Sequence, residues 1–271
     1  MMYPSRVRPS QVSGSKLPPT FLSLAGHPVR WRLLNELVRS DRHVGELCKL
    51  LDQPQSLVSY HLLQLRKGSL VSTRRSSADG RAAYYSVDLA HCRKLLVEVG
   101  DLLHPRLVLS PTSAVAGDEE PSSTPARVLF LCTGNSARSQ MAEAFLARET
   151  ANAIARSAGS HPKPLHHNAV KAMREHGIDI AGRRSKHLQE FAGQQFDYVI
   201  SVCDLVREIC PEFPGAQALH WSIPDPSHEA GNAIESYPAY QRVARELAGR
   251  VQFLGELIDH SSARRTSHAS L

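Results

Sequence analysis

Apolar positions outline this chain before any chemistry is considered. Over 28–39 they recur as Trp31, Leu34, Leu37 and Val38 on one face of a helix, which Pro28 starts well because its fixed φ suits a first helical turn. A short helix is predicted over 44–51, ending before Asp52-Gln53-Pro54. Another spans 55–67, with Val58, Leu62 and Leu65 inward at i, i+4 and i+7 and Gly68 closing it. Residues 70–75 and 82–87 have β-rich character and flank Ser76-Ser77-Ala78-Asp79-Gly80-Arg81, a hairpin with a glycine in its turn and arginines at tip and base. Terminal helices are predicted at 22–25 and 89–103. Beyond residue 126 the rhythm changes. Strands at 127–132, 152–156, 197–202 and 217–221 alternate with helices at 139–150, 166–176, 187–193 and 235–258, the order of a parallel sheet with helices on both faces.

The predicted fold class is therefore two domains: a mainly helical winged helix-turn-helix with a β-wing, then an α/β three-layer parallel sheet. Residues 1–19 read as a disordered N-terminus and 20–108 as the DNA-binding domain. Residues 109–126 read as a Pro/Ser/Thr/Ala linker, 127–259 as the α/β domain and 260–271 as a disordered tail. Charge follows the same division. Residues 1–110 carry sixteen Lys and Arg against eight Asp and Glu, whereas 111–271 carry sixteen against eighteen. The basic balance thus belongs to the first half, as expected when one domain meets a polyanion. On the helix over 55–67, Gln55, Ser56, Ser59 and Tyr60 lie away from the core face. Small polar groups and an aromatic there suit base edges and phosphates, and Arg74, Arg75 and Arg81 of the hairpin complete the candidate DNA contacts.

Candidate chemistry lies where the first strand of the second half meets its helix. Cys132-Thr133-Gly134-Asn135-Ser136-Ala137-Arg138 follows the apolar run 128–131 and leads into Ser139. Backbone N–H groups of 133–139 can converge on one anion, aided by the following helix N-terminus. Gly134 permits a tight backbone, and Arg138 offers a planar two-pronged donor to a tetrahedral oxyanion. The same field favours a nucleophilic thiolate at Cys132. Cys203 and Cys210 follow the strand at 197–202. Seven residues is two helical turns, about 10 Å along the axis, so a disulfide between them requires the intervening segment to unwind. Five cysteines, with no signal peptide and no apolar stretch of membrane-spanning length, imply a reducing, cytoplasmic setting and no membrane partner.

Residues 127–259 resemble the low-molecular-weight tyrosine phosphatase fold, and specifically the thioredoxin-coupled arsenate reductases built on it. The matching stretches are Leu131-Cys132-Thr133-Gly134-Asn135-Ser136, Arg138-Ser139-Gln140-Met141-Ala142-Glu143, Ser157-Ala158-Gly159, Ile178-Asp179-Ile180, Cys203, Cys210-Pro211, His220-Trp221 and Asp225-Pro226. The resemblance implies that Cys132 attacks arsenate held by the loop and Arg138 while Asp225 protonates the departing oxygen. Cys203 then attacks Cys132, Cys210 attacks Cys203, and thioredoxin reduces the resulting Cys203–Cys210 disulfide; no bound cofactor is implied. Three departures matter. Ala137 stands where many relatives place a further cysteine outside the relay. Lys186 stands near a position where some supply an aspartate to a potassium site with residues matching Asn135, Glu143 and Ser157, and an ammonium there would repel the cation. Ser227-His228 stands where tyrosine phosphatases place aromatics.

Residues 20–105 resemble winged helix-turn-helix regulators of the ArsR family. The resemblance rests on Leu24-Ala25-Gly26-His27-Pro28-Val29-Arg30, Gln55-Ser56-Leu57-Val58-Ser59-Tyr60-His61-Leu62, Gly80-Arg81 and Tyr84-Tyr85. It implies a homodimer through the terminal helices and a two-fold, double-stranded operator. The effector site stays open: Cys48 is alone where arsenite sensors carry a pair, and His91, Cys92 and His104 could hold a metal or simply pack. Two function classes follow. One is an arsenate reductase fused to its own repressor. The other is a regulator whose second half is a phosphatase-like enzyme or a redox sensor, with thioredoxin or a low-molecular-weight thiol as competing reductants.

Overall fold

The periodicities of the first half become a winged-helix domain. In this computed structural model, which describes residues 18–103, 124–228 and 233–269, α1 (Thr20–Ala25) leads into α2 (Pro28–Arg39). His27 caps α2, its Nδ1 accepting from the Val29 N–H at 3.2 Å. A two-residue strand β1 (Arg42–His43) precedes α3 (Val44–Leu51), where Glu46 accepts from the His43 N–H. Next come α4 (Gln55–Lys67), the hairpin strands β2 (Val71–Arg75) and β3 (Ala83–Val87), and α5 (Leu89–Leu103), which returns to α1. The antiparallel sheet has the order β1-β3-β2. Leu33, Leu47, Val58, Leu62 and Leu65 are fully buried in one core.

One face differs from expectation. Trp31 and Val38 are 53% and 42% exposed, and α2 instead buries Leu33, Leu34 and Leu37. The helix packs into a corner made by α3, α4 and β3, and that corner selects a stripe rotated by about a residue from the one periodicity favoured.

The second half is a parallel sheet flanked by helices. Its elements are β4 (Ala126–Cys132), α6 (Arg138–Glu149), β5 (Ala153–Gly159), α7 (His167–Glu175), a 3-10 turn at Leu188–Phe191, β6 (Tyr198–Ser201), α8 (Asp204–Ile209), β7 (Gln217–His220), a 3-10 turn at Pro226–His228, and α9 (Ala233–Ala269). The strand order is β5-β4-β6-β7, all parallel. Val128, Leu129, Phe130 and Leu131 of β4 have no exposure, because a central parallel strand is covered on both faces and so reads as a continuous apolar run.

Several boundaries differ from the sequence expectation; α1 starts at Thr20 and not at 22, and β5 runs on to Gly159, past the expected end at 156. Residues 187–193 form only the short 3-10 turn. The helix expected to end near 258 continues to Ala269, where a disordered tail was expected; no Pro or Gly after Gly255 stops it, and Ser261 Oγ donates back to Leu257 O. Ala126, expected in the linker, already pairs with Ala153. The remainder of the expected linker up to residue 123, and the N-terminal segment through residue 17, lie outside the described residues. Among the described residues, no helix is long and apolar enough to cross a membrane.

Candidate functional site

Strand β4 ends at Cys132 and α6 begins at Arg138, so the loop between them sits at the carboxyl end of the sheet's central strand. Cys132, 2% exposed, accepts from the Asn135 N–H at 3.2 Å, and its Sγ lies 3.0 Å from Ser139 Oγ. The sharp turn falls at Asn135 (φ 44°) and not at Gly134, which takes no positive φ. Asparagine tolerates this region better than most residues, and here its side chain is tied down. Its Nδ2 donates to Ser139 Oγ and Ser157 Oγ, and its Oδ1 accepts from Gln140 Nε2 and the Lys186 N–H. The indispensable glycine is Gly159: a Cβ there would stand 2.6 Å from Thr133 O and 2.8 Å from Asn135 N. Within 133–139, the expected oxyanion loop, the Asn135 N–H and the Ser139 hydroxyl thus meet the Cys132 sulfur, and the Asn135 side chain ties the turn to α6, β5 and Lys186.

Arg138 is 6% exposed. Its Nη1 donates to Ile223 O at 3.0 Å, and its Nη2 pairs with Asp225 Oδ2 at 2.5 Å. The structure therefore brings Asp225, 87 residues away in sequence, to the mouth of the loop. Burial pushes the Asp225 carboxyl upward, but Arg138, the Ser227 hydroxyl and N–H, and His228 outweigh it and hold the group below the usual carboxylate range.

Cys203 and Cys210 bracket α8 as its N-cap and C-cap. Cys203 is 2% exposed; its Sγ accepts from the Val206 N–H and lies 3.4 Å from Thr133 Oγ1, next door to Cys132. Burial raises its pKa against the opposing pull of Arg138 and Thr133. Cys210 is half-buried, and burial pushes its thiol up to about 11. All five cysteines are free thiols.

Lys186 fills the space beside the loop. Its Nζ lies 3.3 Å from Glu143 Oε2, which also accepts from Ser157 Oγ, and Arg183 pairs with the other Glu143 oxygen at 3.3 Å. A fixed ammonium and a guanidinium thus neutralise Glu143. Among the described residues, no cluster of His, Cys, Asp and Glu is arranged to hold a metal.

In the first domain Gln55, Ser56, Ser59 and Tyr60 form an exposed face of α4, and Arg75 and Arg81 are exposed on the hairpin. His61 faces inward, its ring tilted against that of His27 with centroids 4.4 Å apart. Cys48 and Cys92 pack partly buried against the domain core, and burial pushes the Cys92 thiol up to about 11. His91 is half-buried, and His104 lies outside the described residues.

Arg74 departs from expectation: its guanidinium faces the second domain. Its Nη2 lies 3.2 Å from both carboxylate oxygens of Asp204, its Nε donates to Ser222 O at 2.8 Å, and it also reaches Ser222 Oγ. A hairpin side chain was expected to meet DNA, but the buried carboxylate is the stronger local anion. Asp204, with no exposure, also accepts from the Ser77 N–H at 2.6 Å and Ser77 Oγ at 2.8 Å, from Ser222 Oγ, and from His220 Nε2 at 3.1 Å. Burial alone would raise the Asp204 pKa, yet these donors and Arg74 hold it far below the carboxylate range. Beside it, Arg207 of α8 pairs with Glu46 of α3, and Asp41 accepts from the Ser222 N–H and from Arg250 at 2.9 Å. Sequence reasoning missed Asp41, Asp204 and Ser222, and it singled out His220 only within a matching stretch, with no partner. The one available signal was Asp204 itself, a charge immediately after a cysteine and an apolar strand.

Comparison with known proteins agrees with the geometry of both halves. Residues 127–263 match the low molecular weight phosphotyrosine protein phosphatase family, and residues 27–73 match the bacterial regulatory protein, arsR family. An arsenate reductase of Halalkalibacterium halodurans is 35% identical over 131 residues, 48% of this chain and 94% of its own length. One from Bacillus subtilis is 36% identical with the same coverage. A solved arsenate reductase in a phosphate-binding state is 30% identical, covering 49% of this chain and 98% of its own, with a TM-score of 0.42. A Corynebacterium glutamicum thioredoxin-dependent arsenate reductase is 24% identical over 84% of this chain and 98% of its own, also with a TM-score of 0.42.

Proposed function

The chain belongs to the low-molecular-weight phosphotyrosine protein phosphatase family, with an arsR-family regulatory domain ahead of its catalytic half, and on that premise we propose that it is an arsenate reductase fused to its own DNA-binding regulator. The observation that carries the reductase half is the placement of three thiols. Cys132 lies in the oxyanion loop, Cys203 is against that loop's Thr133, and Cys210 closes the helix that Cys203 opens. A phosphatase needs only the first.

Arsenate enters the loop, where the N–H groups of 133–139 and the α6 N-terminus compensate its charge. Bound oxyanion competes with Asp225 for Arg138, and its negative charge raises the Asp225 pKa so that the carboxyl can carry a proton. The Cys132 thiolate forms an S–As bond while one oxygen leaves as water, taking that proton. Cys203 then attacks Cys132 Sγ. The S–As electron pair passes to arsenic, which departs as arsenite, and a Cys132–Cys203 disulfide remains. Cys210 attacks Cys203 and expels the Cys132 thiolate. Cys210 closes the far end of α8 and reaches Cys203 only once that helix loosens, which orders the steps. The final Cys203–Cys210 disulfide is reduced by thioredoxin in the cytoplasm.

For the regulatory half, the exposed α4 face (Gln55, Ser56, Ser59, Tyr60) with Arg75 and Arg81 supports binding to double-stranded operator DNA. Leu22 of α1 and Leu96, Leu102 and Leu103 of α5 are exposed, which supports a homodimer through these helices. The experiment that tests the proposal is arsenate-dependent NADPH oxidation in the presence of thioredoxin and thioredoxin reductase, run beside p-nitrophenyl phosphate hydrolysis. Arsenate-dependent consumption is expected. Phosphatase turnover with none would assign the catalytic half to the phosphatases instead.

A further inference from the structure

We propose that α8 has a second function: it is a redox-controlled latch on the DNA-binding wing. This rests on the relay reading above, and it follows from the two sides of one short helix. Cys203 and Cys210 cap its ends, and Asp204 and Arg207, the charged residues between them that cross to the other domain, hold the regulatory half. Asp204 receives Arg74 and both donors of Ser77 from the β2–β3 hairpin, and Arg207 receives Glu46 from α3 while its guanidinium lies 5.2 Å from the Tyr84 ring centroid.

A Cys203–Cys210 disulfide cannot form across an intact α8. Two turns set the two residues about 10 Å apart along the helix axis, whereas bridged residues need their Cα atoms within about 7 Å. The helix must unwind, and Asp204, immediately after the moving Cys203, loses its fixed place between Arg74, Ser77, His220 and Ser222. Room exists beside it. A cleft of about 500 Å³ between the domains is lined by Ser40, Arg42, Arg207, Cys210, Phe213 and His220. In the reduced chain the Asp204 carboxylate occupies, as a phosphate would, an arginine and a Ser hydroxyl–amide pair of the wing. Oxidation removes that internal anion, so the donors of Arg74 and Ser77 become available to DNA phosphates. The two thiols lose two electrons and two protons in closing the bond; in turnover the electrons reduce As(V) to As(III).

The test uses the full chain carrying Cys48→Ser, Cys92→Ser and Cys132→Ser, so that only Cys203 and Cys210 can pair. Diamide oxidises them, itself becoming the hydrazine, and mass spectrometry verifies the bond. Arsenate is not involved, so the result is independent of whether the chain reduces it. The oxidised protein is expected to lose hydrogen-exchange protection at the Ser77 amide and across the hairpin. It should also bind a mixed-sequence DNA duplex at low salt on the order of fivefold or more tightly than the reduced protein, the scale of an ordinary coupling between sites. Asp204→Asn in the reduced chain should move both readouts the same way without a disulfide. Verified oxidation that leaves the wing protected, or DNA affinity equal or weaker, overturns the latch while leaving the reductase reading intact. Failure of the disulfide to form at all overturns the latch as well, while the arsenate assay above decides the reductase reading on its own.

Discussion

Arg138 Nη2 and Asp225 Oδ2 stand 2.5 Å apart across the mouth of the catalytic loop, so the residue that should bind the oxyanion and the residue that should protonate its leaving group hold each other in the free protein. Substrate must separate them. Asp225→Asn should therefore lower kcat for arsenate by on the order of 10²–10⁴-fold, the usual worth of a general acid. Inhibition by phosphate should be unchanged or tighter, because Arg138 loses its competitor. Equal kcat for the variant would remove Asp225 from the mechanism.

The same pair makes a pH prediction. Asp225 titrates below the usual carboxylate range when folded, so its contribution to stability is present above the unfolded carboxylate pKa of about 3.9 and is lost as pH falls through the lower folded value. Thermal midpoints of wild type and Asp225→Asn should differ near neutral pH and converge in acid. A gap that persists unchanged in acid would contradict the ion-pair account.

Lys186 gives the chain its own cation. With its ammonium 3.3 Å from Glu143, exchange of potassium for sodium should alter kcat by less than about twofold, within the scatter of surface electrostatics. Lys186→Ala should cost about 1–3 kcal/mol of stability by leaving the largely buried Glu143 to Arg183 and Ser157. A strong potassium requirement in the wild-type chain would contradict this.

DNA binding should separate by residue class. Tyr60→Ala or Ser59→Ala on the exposed α4 face should erode discrimination between the chain's own promoter region and random DNA. Arg81→Ala should weaken both alike and reduce the salt slope by about one. A gel shift that none of these variants affects would place the interface elsewhere.

Much of this was legible in the sequence where the signal is local. The Cys132–Arg138 loop, the thiols bracketing α8 and the inward stripe of α4 all depend on spacing within one or two elements, and spacing fixes them. The orientation of α2 did not, because a three-sided packing corner and not periodicity alone decides whether Trp31 or Leu33 is covered. Nor did the partner of Arg74. Asp204 lies 130 residues away, and no local pattern distinguishes an arginine that meets phosphate from one that meets a buried carboxylate. The turn conformation was assigned to Gly134 on intrinsic freedom, whereas a side-chain network makes Asn135 the left-handed residue.

The central claim is the order of thiol attack, and trapping it is the most direct measurement. Cys132→Ser, Cys203→Ser and Cys210→Ser are each mixed with arsenate under thioredoxin-free conditions, and their disulfides mapped by mass spectrometry beside arsenite release. Cys132→Ser and Cys203→Ser should release no arsenite. Cys210→Ser should release one equivalent per chain and stop with a Cys132–Cys203 disulfide, because the thiol that hands the bond onward is missing. Release of no arsenite by Cys210→Ser, or its repeated turnover once thioredoxin and its reductase are added, would contradict the relay, the latter pointing to a reductant that needs a single protein cysteine.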